Sequence, residues 1–159
     1  MSFRVDFNAQ MTALETMSLG VPDVQTPQVR HDQFNRAFSV KDTDAKPASI
    51  DSSQTLTGTQ TLDLTALATV NGTKDCTGKK LRGIQLKNPS TNTGKLTVGP
   101  GAANPYPLFG TGITMDVQLD GHLLIWFADG LAAVAAAVKT ILITPNNAAD
   151  VFDIQLILG

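Results

Sequence analysis

Several residue types that mark common protein classes are scarce in this sequence of 159 residues. It contains one cysteine, Cys76, which excludes an intrachain disulfide framework and a multi-cysteine zinc site. Charged residues make up 16% of the chain, below the roughly 25% of an average soluble domain. The formal net charge is −2. A chain without a global positive field is not expected to bind nucleic acid.

Glutamate is almost absent, since Glu15 is the only one among the 14 acidic residues. Threonine, in contrast, occupies about one position in eight. Glutamate favours helices, whereas aspartate and threonine are typical of turns, caps and strands. The composition therefore predicts a mainly β protein.

Long apolar runs are also missing. The most apolar stretch, residues 123–138, spans 16 residues and is interrupted by Asp129 and Gly130, whereas a membrane-spanning helix needs about 20. The first twenty residues include Asp6 and Glu15 and lack the apolar centre of a secretory signal. We therefore expect neither a membrane partner nor a secretory leader.

The pattern of the chain changes near residue 50. Residues 1–48 show no sustained alternation and are interrupted by Pro22, Pro27 and Pro47. Such a segment has too little apolar periodicity for a core of its own, so we predict an extended N-terminal arm, ordered by docking. Residues 13–18 favour one or two helical turns at most. The alternative is an edge strand and loop of the following domain.

Residues 49–159 predict a single β-sandwich domain. About eight short segments alternate polar and apolar residues, as half-buried strands do, and turn-forming pairs such as Asn71-Gly72 and Asp120-Gly121 separate them. Regular short strands at this spacing are typical of an antiparallel β-sandwich of jelly-roll type. Residues 122–127 are apolar almost throughout, which predicts a strand buried on both faces with Trp126 and Phe127 in the core. The alanine-rich residues 131–138 fit either a short helix or a strand.

No motif for catalysis or for metal binding is present. Cys76 lies beside lysines that could activate a thiol, but neither His31 nor His122 is placed to act as its base. Asp116 and Asp120 are close in sequence, yet no regular acidic spacing supports a Ca²⁺ site. We expect no enzyme activity, no cofactor and no metal.

Two groups of residues are candidates for docking a partner. The arm carries four phenylalanines, which are costly to leave in water and could anchor it to a neighbouring subunit or a shell: Phe3, Phe7, Phe34 and Phe38. The second group is a basic cluster that could steer docking onto an acidic protein surface: Lys74, Lys79, Lys80, Arg82 and Lys87.

From about residue 55 onward the chain resembles small β-rich virion proteins of tailed bacteriophages. The segments that carry this resemblance are TLDLTAL (61–67), LRGIQLKN (81–88), LTVG (96–99), GAANPY (101–106) and VFDIQLILG (151–159). Proteins of this kind are similar to head decoration (cement) proteins. The N-terminal 48 residues and the alanine run depart from that pattern.

The resemblance implies a non-enzymatic structural protein of the virion exterior, made in the host cytoplasm. Its partners would be the major capsid protein and further copies of itself, with a homotrimer favoured. The resemblance carries over no catalytic residue. A tail or head-fibre accessory protein is an alternative within the virion. A jelly-roll carbohydrate-binding module is an alternative of another class, recognised by aromatic side chains exposed on one face.

Overall fold

The computed structural model describes residues 3–16, 28–46 and 48–159, and side chains within 3–9, 37–46 and 48–159. These residues form twelve strands and no helix, and hence no helix that could cross a membrane. The strands are β1 (Arg4–Thr16), β2 (Gln28–Lys41), β3 (Ile50–Thr57), β4 (Gln60–Asp63), β5 (Leu67–Thr69), β6 (Gly72–Lys74), β7 (Leu81–Lys87), β8 (Leu96–Pro100), β9 (Met115–Val117), β10 (His122–Trp126), β11 (Thr140–Pro145) and β12 (Val151–Leu158).

Eight of these strands build two four-stranded antiparallel sheets. The front sheet has the order β10-β7-β12-β3 and the back sheet the order β4-β11-β8-β9. If these eight strands are renumbered in chain order, the sheets read 6-3-8-1 and 2-7-4-5. Each strand of the first half therefore pairs with its counterpart from the second half, as in a long hairpin rolled into two layers. This is the jelly-roll arrangement, and the predicted fold class is confirmed.

The core lies between the two sheets. Alternate residues of β7 and β12 point inward from the front sheet, and alternate residues of β8 and β11 meet them from the back sheet. The largest fully buried side chains include Ile84, Phe152, Leu156 and Ile143, and each contributes about 1.5–3 kcal/mol by leaving water. Two-residue alternation in the sequence therefore marks the inward face correctly.

The alanine-rich residues 131–138 form neither a regular helix nor a named strand. Val134, which is 1% exposed, inserts into the core, while its backbone exchanges hydrogen bonds with Lys79 and Gly78. The buried Tyr106 hydroxyl donates to the Ala132 carbonyl at 2.6 Å and accepts from the Leu81 amide at 3.2 Å. These fixed contacts hold the segment as a loop with isolated bridges and override its helical propensity.

The N-terminal arm is a β-hairpin. Strands β1 and β2 form a separate two-stranded antiparallel sheet, in register from Arg4 opposite Lys41 to Thr16 opposite Gln28, with one irregularity between Met11 and Ala13. The short helix expected within residues 13–18 is wrong for residues 13–16, which are strand, and residues 17 and 18 lie outside the described residues. Pairing with β2 supplies the hydrogen bonds that a lone helical turn would lack.

Candidate functional site

The base of the hairpin meets the outer face of the front sheet at Trp126. This residue ends the edge strand β10, and its register partner on β7 is Gly83. The indole lies directly over that glycine, since a Cβ on Gly83 would stand 3.0 Å from Cε3 of Trp126. A glycine inside a strand commonly marks such a close approach. Because Gly83 has no side chain, the indole ring can pack directly on the backbone of β7.

Two phenylalanines of the hairpin complete an aromatic cluster with Trp126. Phe7 of β1 and Phe38 of β2 are register partners, and their rings stack with centroids 4.9 Å apart. The Phe38 ring meets the indole edge-on at 5.2 Å and the Phe7 ring is tilted against it at 6.0 Å. Such pairs contribute about 0.5–1.5 kcal/mol each beyond the area that they bury. Phe7, Phe38 and Trp126, called the aromatic cluster below, thus attach the hairpin to its own sandwich.

The position of Trp126 corrects one sequence prediction. Residues 122–127 were expected to be buried on both faces, but His122 and Leu124 are exposed and Trp126 is half-buried on the outer face. Phe127, in contrast, does pack against the core. The strand is apolar along most of its length because its inner face contacts the sandwich core and part of its outer face contacts the hairpin.

Arg82 is the second correction. It is predicted above to belong to a basic cluster that docks onto an acidic protein surface, which requires exposure, but it is 4% exposed. Its Nη2 donates to the Lys46 carbonyl at 3.1 Å, and its guanidinium carbon lies 6.0 Å from the centroid of the Trp126 ring. Burial lowers the pKa of Arg82 from its usual value. The side chain therefore ties the link after β2 to the aromatic cluster.

The four lysines of the predicted cluster lie on different elements of the fold. Lys87 ends β7 while Lys80 precedes it, so the two are seven residues, or roughly 23 Å, apart along the strand. Lys79 lies next to the loop that carries Val134, and Lys74 ends the small β5–β6 hairpin. Lys80 and Lys87 therefore cannot contact the same point on a partner, and docking through the basic cluster stays a prediction.

The two remaining anchor candidates lie apart from the aromatic cluster. Phe3 sits at the hairpin base, where its amide donates to Asp42 at 3.0 Å, and it lines a hollow of about 330 Å³ with Ile50 and the 84% exposed Val70. Phe34 belongs to β2 opposite Met11, and its side chain lies outside the described residues.

Cys76 is buried in the core, at 0% exposure. Burial, together with the nearby Asp75 carboxylate, raises the pKa of the Cys76 thiol to about 11, against a weaker opposite effect of Lys79. The thiolate is the reactive form of cysteine, so at neutral pH this group is a poor nucleophile.

We expect iodoacetamide at pH 8 to alkylate Cys76 far more slowly in the native protein than in the denatured protein, because burial and the raised pKa both protect the thiol. Mass spectrometry of intact protein, with and without guanidinium, measures the two rates. Equal rates would contradict a core position for Cys76.

Asp116 forms, with Asp120, the candidate Ca²⁺ pair of the sequence. Its carboxylate instead accepts hydrogen bonds from Lys95 Nζ at 2.6 Å and Thr97 Oγ1 at 2.7 Å, and these lower the pKa of Asp116. Among the residues with described side chains, no group of three or more His, Cys, Asp or Glu residues is placed to hold a metal ion.

Comparison with known protein families, with curated proteins and with solved structures gives no match.

Proposed function

We propose that this protein is a non-enzymatic structural component of a bacteriophage virion that binds the exterior of the capsid and reinforces it. The observation that carries the proposal is a long β-hairpin attached at its base to a jelly-roll sandwich. Jelly rolls occur in viral capsid proteins and in lectins, although the fold alone does not fix a function. The hairpin supplies what a docking role needs, namely a long two-stranded sheet that can pair with a sheet of another subunit.

The hairpin is long relative to its attachment. Beyond Phe7, β1 continues for nine residues to Thr16, which is roughly 30 Å of backbone paired with β2. An isolated two-stranded sheet is at best marginally stable in water. In the described part of the chain, neither edge of this two-stranded sheet is paired with a further strand. We propose that the hairpin adds to a sheet of the major capsid protein or of a neighbouring copy.

Reinforcement follows from binding the assembled shell. A protein that binds the assembled capsid and not its separated subunits stabilises the assembly by mass action. Several hairpins on one homotrimer would bind more tightly than one, since the later contacts form within the same complex. We accordingly propose a homotrimer, which native mass spectrometry of the purified protein tests. A monomer both in solution and on the particle would contradict it.

The decisive measurement is the copy number of this chain in purified particles of the phage that encodes it. Quantitative mass spectrometry should find it at a fixed ratio to the major capsid protein, and particles lacking it should release DNA at a lower temperature. A few copies per particle would favour the tail or head-fibre alternative. Absence from the particle would overturn a virion role.

A further inference from the structure

The outer face of the front sheet carries a groove that capsid binding does not need. It consists of two hollows of about 180 and 370 Å³ that share Gln85 and Gln155. The first lies between β1 of the hairpin and the end of the sheet at Trp126. The second continues over the neighbouring strands to Thr55. We infer that this groove, called the front groove below, binds a neutral oligosaccharide.

The direction of the front groove indicates a ligand other than an added strand. The groove runs diagonally across β10, β7, β12 and β3, which spans roughly 14 Å of sheet. A peptide that adds to a sheet lies parallel to an edge and uses backbone hydrogen bonds. The two central strands of this sheet, β7 and β12, are paired with neighbouring strands on both sides. Recognition in the front groove therefore depends on side chains.

The side chains at the centre of the groove suit hydroxyl groups. Gln85 and Gln155 are register partners on β7 and β12, so their amides lie side by side on the outer face. Each amide can both donate and accept, which is what a sugar hydroxyl requires of its partner. Gln155 is oriented by its Nε2, which donates to Asp51 at 3.0 Å. The Gln155 amide is therefore already oriented before a ligand binds, which lowers the entropy that binding costs.

The charge of the lining favours an uncharged ligand. Lys87 and Asp153 are register partners in the second hollow, so one positive and one negative group lie side by side. Asp153 also accepts from Thr55 Oγ1 at 2.6 Å, which fixes the carboxylate. This part of the groove therefore has no excess of either sign. An anionic polymer would gain little there, because phosphate binding relies on unopposed basic groups.

The hairpin end of the groove has an apolar wall, which Phe7 and Trp126 form together with Val5 and Ile157. Asp6 also lines this hollow, but its carboxylate is paired with Arg4 at 2.8 Å and so adds no unopposed charge. An aromatic and aliphatic wall next to amides fits a ligand with both C–H faces and hydroxyl edges, a combination that sugar rings provide. The two hollows together thus match an oligosaccharide that lies across the sheet.

The chain offers a built-in reporter for this proposal, because Trp126 is the only tryptophan in the sequence. The full-length protein is titrated with maltotetraose, cellotetraose and chitotetraose while Trp126 fluorescence is followed, and the same protein is applied to an array of neutral and anionic glycans. We expect saturable binding of a neutral oligosaccharide. The doubly substituted Gln85→Ala, Gln155→Ala protein should bind it at least tenfold more weakly. The matched control Gln118→Ala changes an exposed glutamine outside the groove and should bind normally.

Several results would overturn the proposal. These are the absence of saturable binding to every neutral glycan, binding confined to anionic glycans, and a neutral glycan that binds the double variant as well as the native protein. Circular dichroism and thermal unfolding of both variants show whether any loss of binding is separate from loss of fold. Because this test uses free oligosaccharides, its result does not depend on whether the chain is found on a capsid.

Discussion

Replacing Trp126 with alanine is expected to release the hairpin from the sandwich. The substitution removes both aromatic contacts that join β1 and β2 to the front sheet. Phe7 and Phe38 then face an empty space above Gly83. Trp126 is half-buried, so the loss of unfolding free energy should be about 2 kcal/mol, below the range for a fully buried aromatic. A hairpin without its anchor is marginal in water.

Hydrogen exchange measured by mass spectrometry tests this expectation segment by segment. Peptides from Arg4–Thr16 and Gln28–Lys41 should exchange many-fold faster in Trp126→Ala, while peptides from β7 and β12 stay protected. Leu124→Ala is the matched control, because Leu124 lies on the same strand and face but is 43% exposed. Unchanged exchange in the hairpin would show that something other than the aromatic cluster holds it.

A second variant is expected to release the hairpin by adding a side chain under the indole ring instead of removing the ring. Gly83→Val adds side-chain atoms where a Cβ alone would lie 3.0 Å from the Trp126 ring and 3.6 Å from Ile157 Cβ. The indole ring must then move away from residue 83, so we expect the hairpin to be released as in Trp126→Ala. Gly83→Val displaces the indole ring without removing any atoms. Equally fast hydrogen exchange of the hairpin in Gly83→Val and Trp126→Ala would therefore show that the lost contact, and not the lost side-chain volume, releases the hairpin.

The sandwich was predictable from the sequence because its strands are half-buried. Residue pairs such as Ile84 and Leu86, or Ile154 and Leu156, face inward and alternate with polar residues that face out. This two-residue period is set by the geometry of an extended chain, so it can be detected without knowing the fold. Turn pairs at regular spacing then indicate many short antiparallel strands.

The hairpin was not predictable in the same way, because it has no core of its own. Its strands are ordered by pairing with each other and by one aromatic cluster at the base. Neither interaction requires regular apolar alternation over residues 1–48. The four phenylalanines are predicted above to anchor the arm to a neighbouring subunit or a shell. Phe7 and Phe38 instead pack against Trp126 of the same chain, a residue that the sequence pattern places in the core.

The two residues missed at the site, Trp126 and Gly83, become a recognisable pair only when the register of β10 against β7 is known. An apolar run indicates that both faces are covered, but it does not say what covers the second face. Arg82 shows the same limit for charge. The sequence alone predicts an arginine in a strand to be exposed. The structure shows that the Trp126 ring lies next to the Arg82 guanidinium group.

Replacing Asp150 is expected to have the second large effect, because this side chain holds one end of the sandwich together. Asp150 is 4% exposed and precedes β12. Its carboxylate accepts from the Thr93 amide at 3.0 Å, from Thr93 Oγ1 at 3.0 Å and from the Asn147 amide at 3.1 Å. It thereby joins the loop before β8 to the loop between β11 and β12.

A neighbouring asparagine pair extends this network. Asn92 exchanges two hydrogen bonds with the backbone of Val151, at 2.6 and 2.9 Å, and also donates to Asn88 at 2.7 Å. Asn88 in turn donates to the carbonyls of Gly94 and Val117. Because the network is buried, removal of one acceptor leaves donors without partners, which costs more than the hydrogen bond itself contributes.

Asp150→Ala should therefore lower the free energy of unfolding by about 3 kcal/mol, which corresponds to a drop in Tm of roughly 6–12 °C for a chain of this size. Asp150→Asn keeps an oxygen that accepts from Thr93 but lacks a second acceptor for the backbone amide of Asn147. It should therefore lower the free energy of unfolding by less than Asp150→Ala does. Asp153→Ala is the control, since Asp153 lies three residues further along the chain, on the outer face, and accepts a hydrogen bond from Thr55 Oγ1. Urea titration followed by circular dichroism gives the three values. If Asp150→Ala were no less stable than Asp153→Ala, the two loops would be held by sheet pairing and packing, and the buried network would contribute little to the fold.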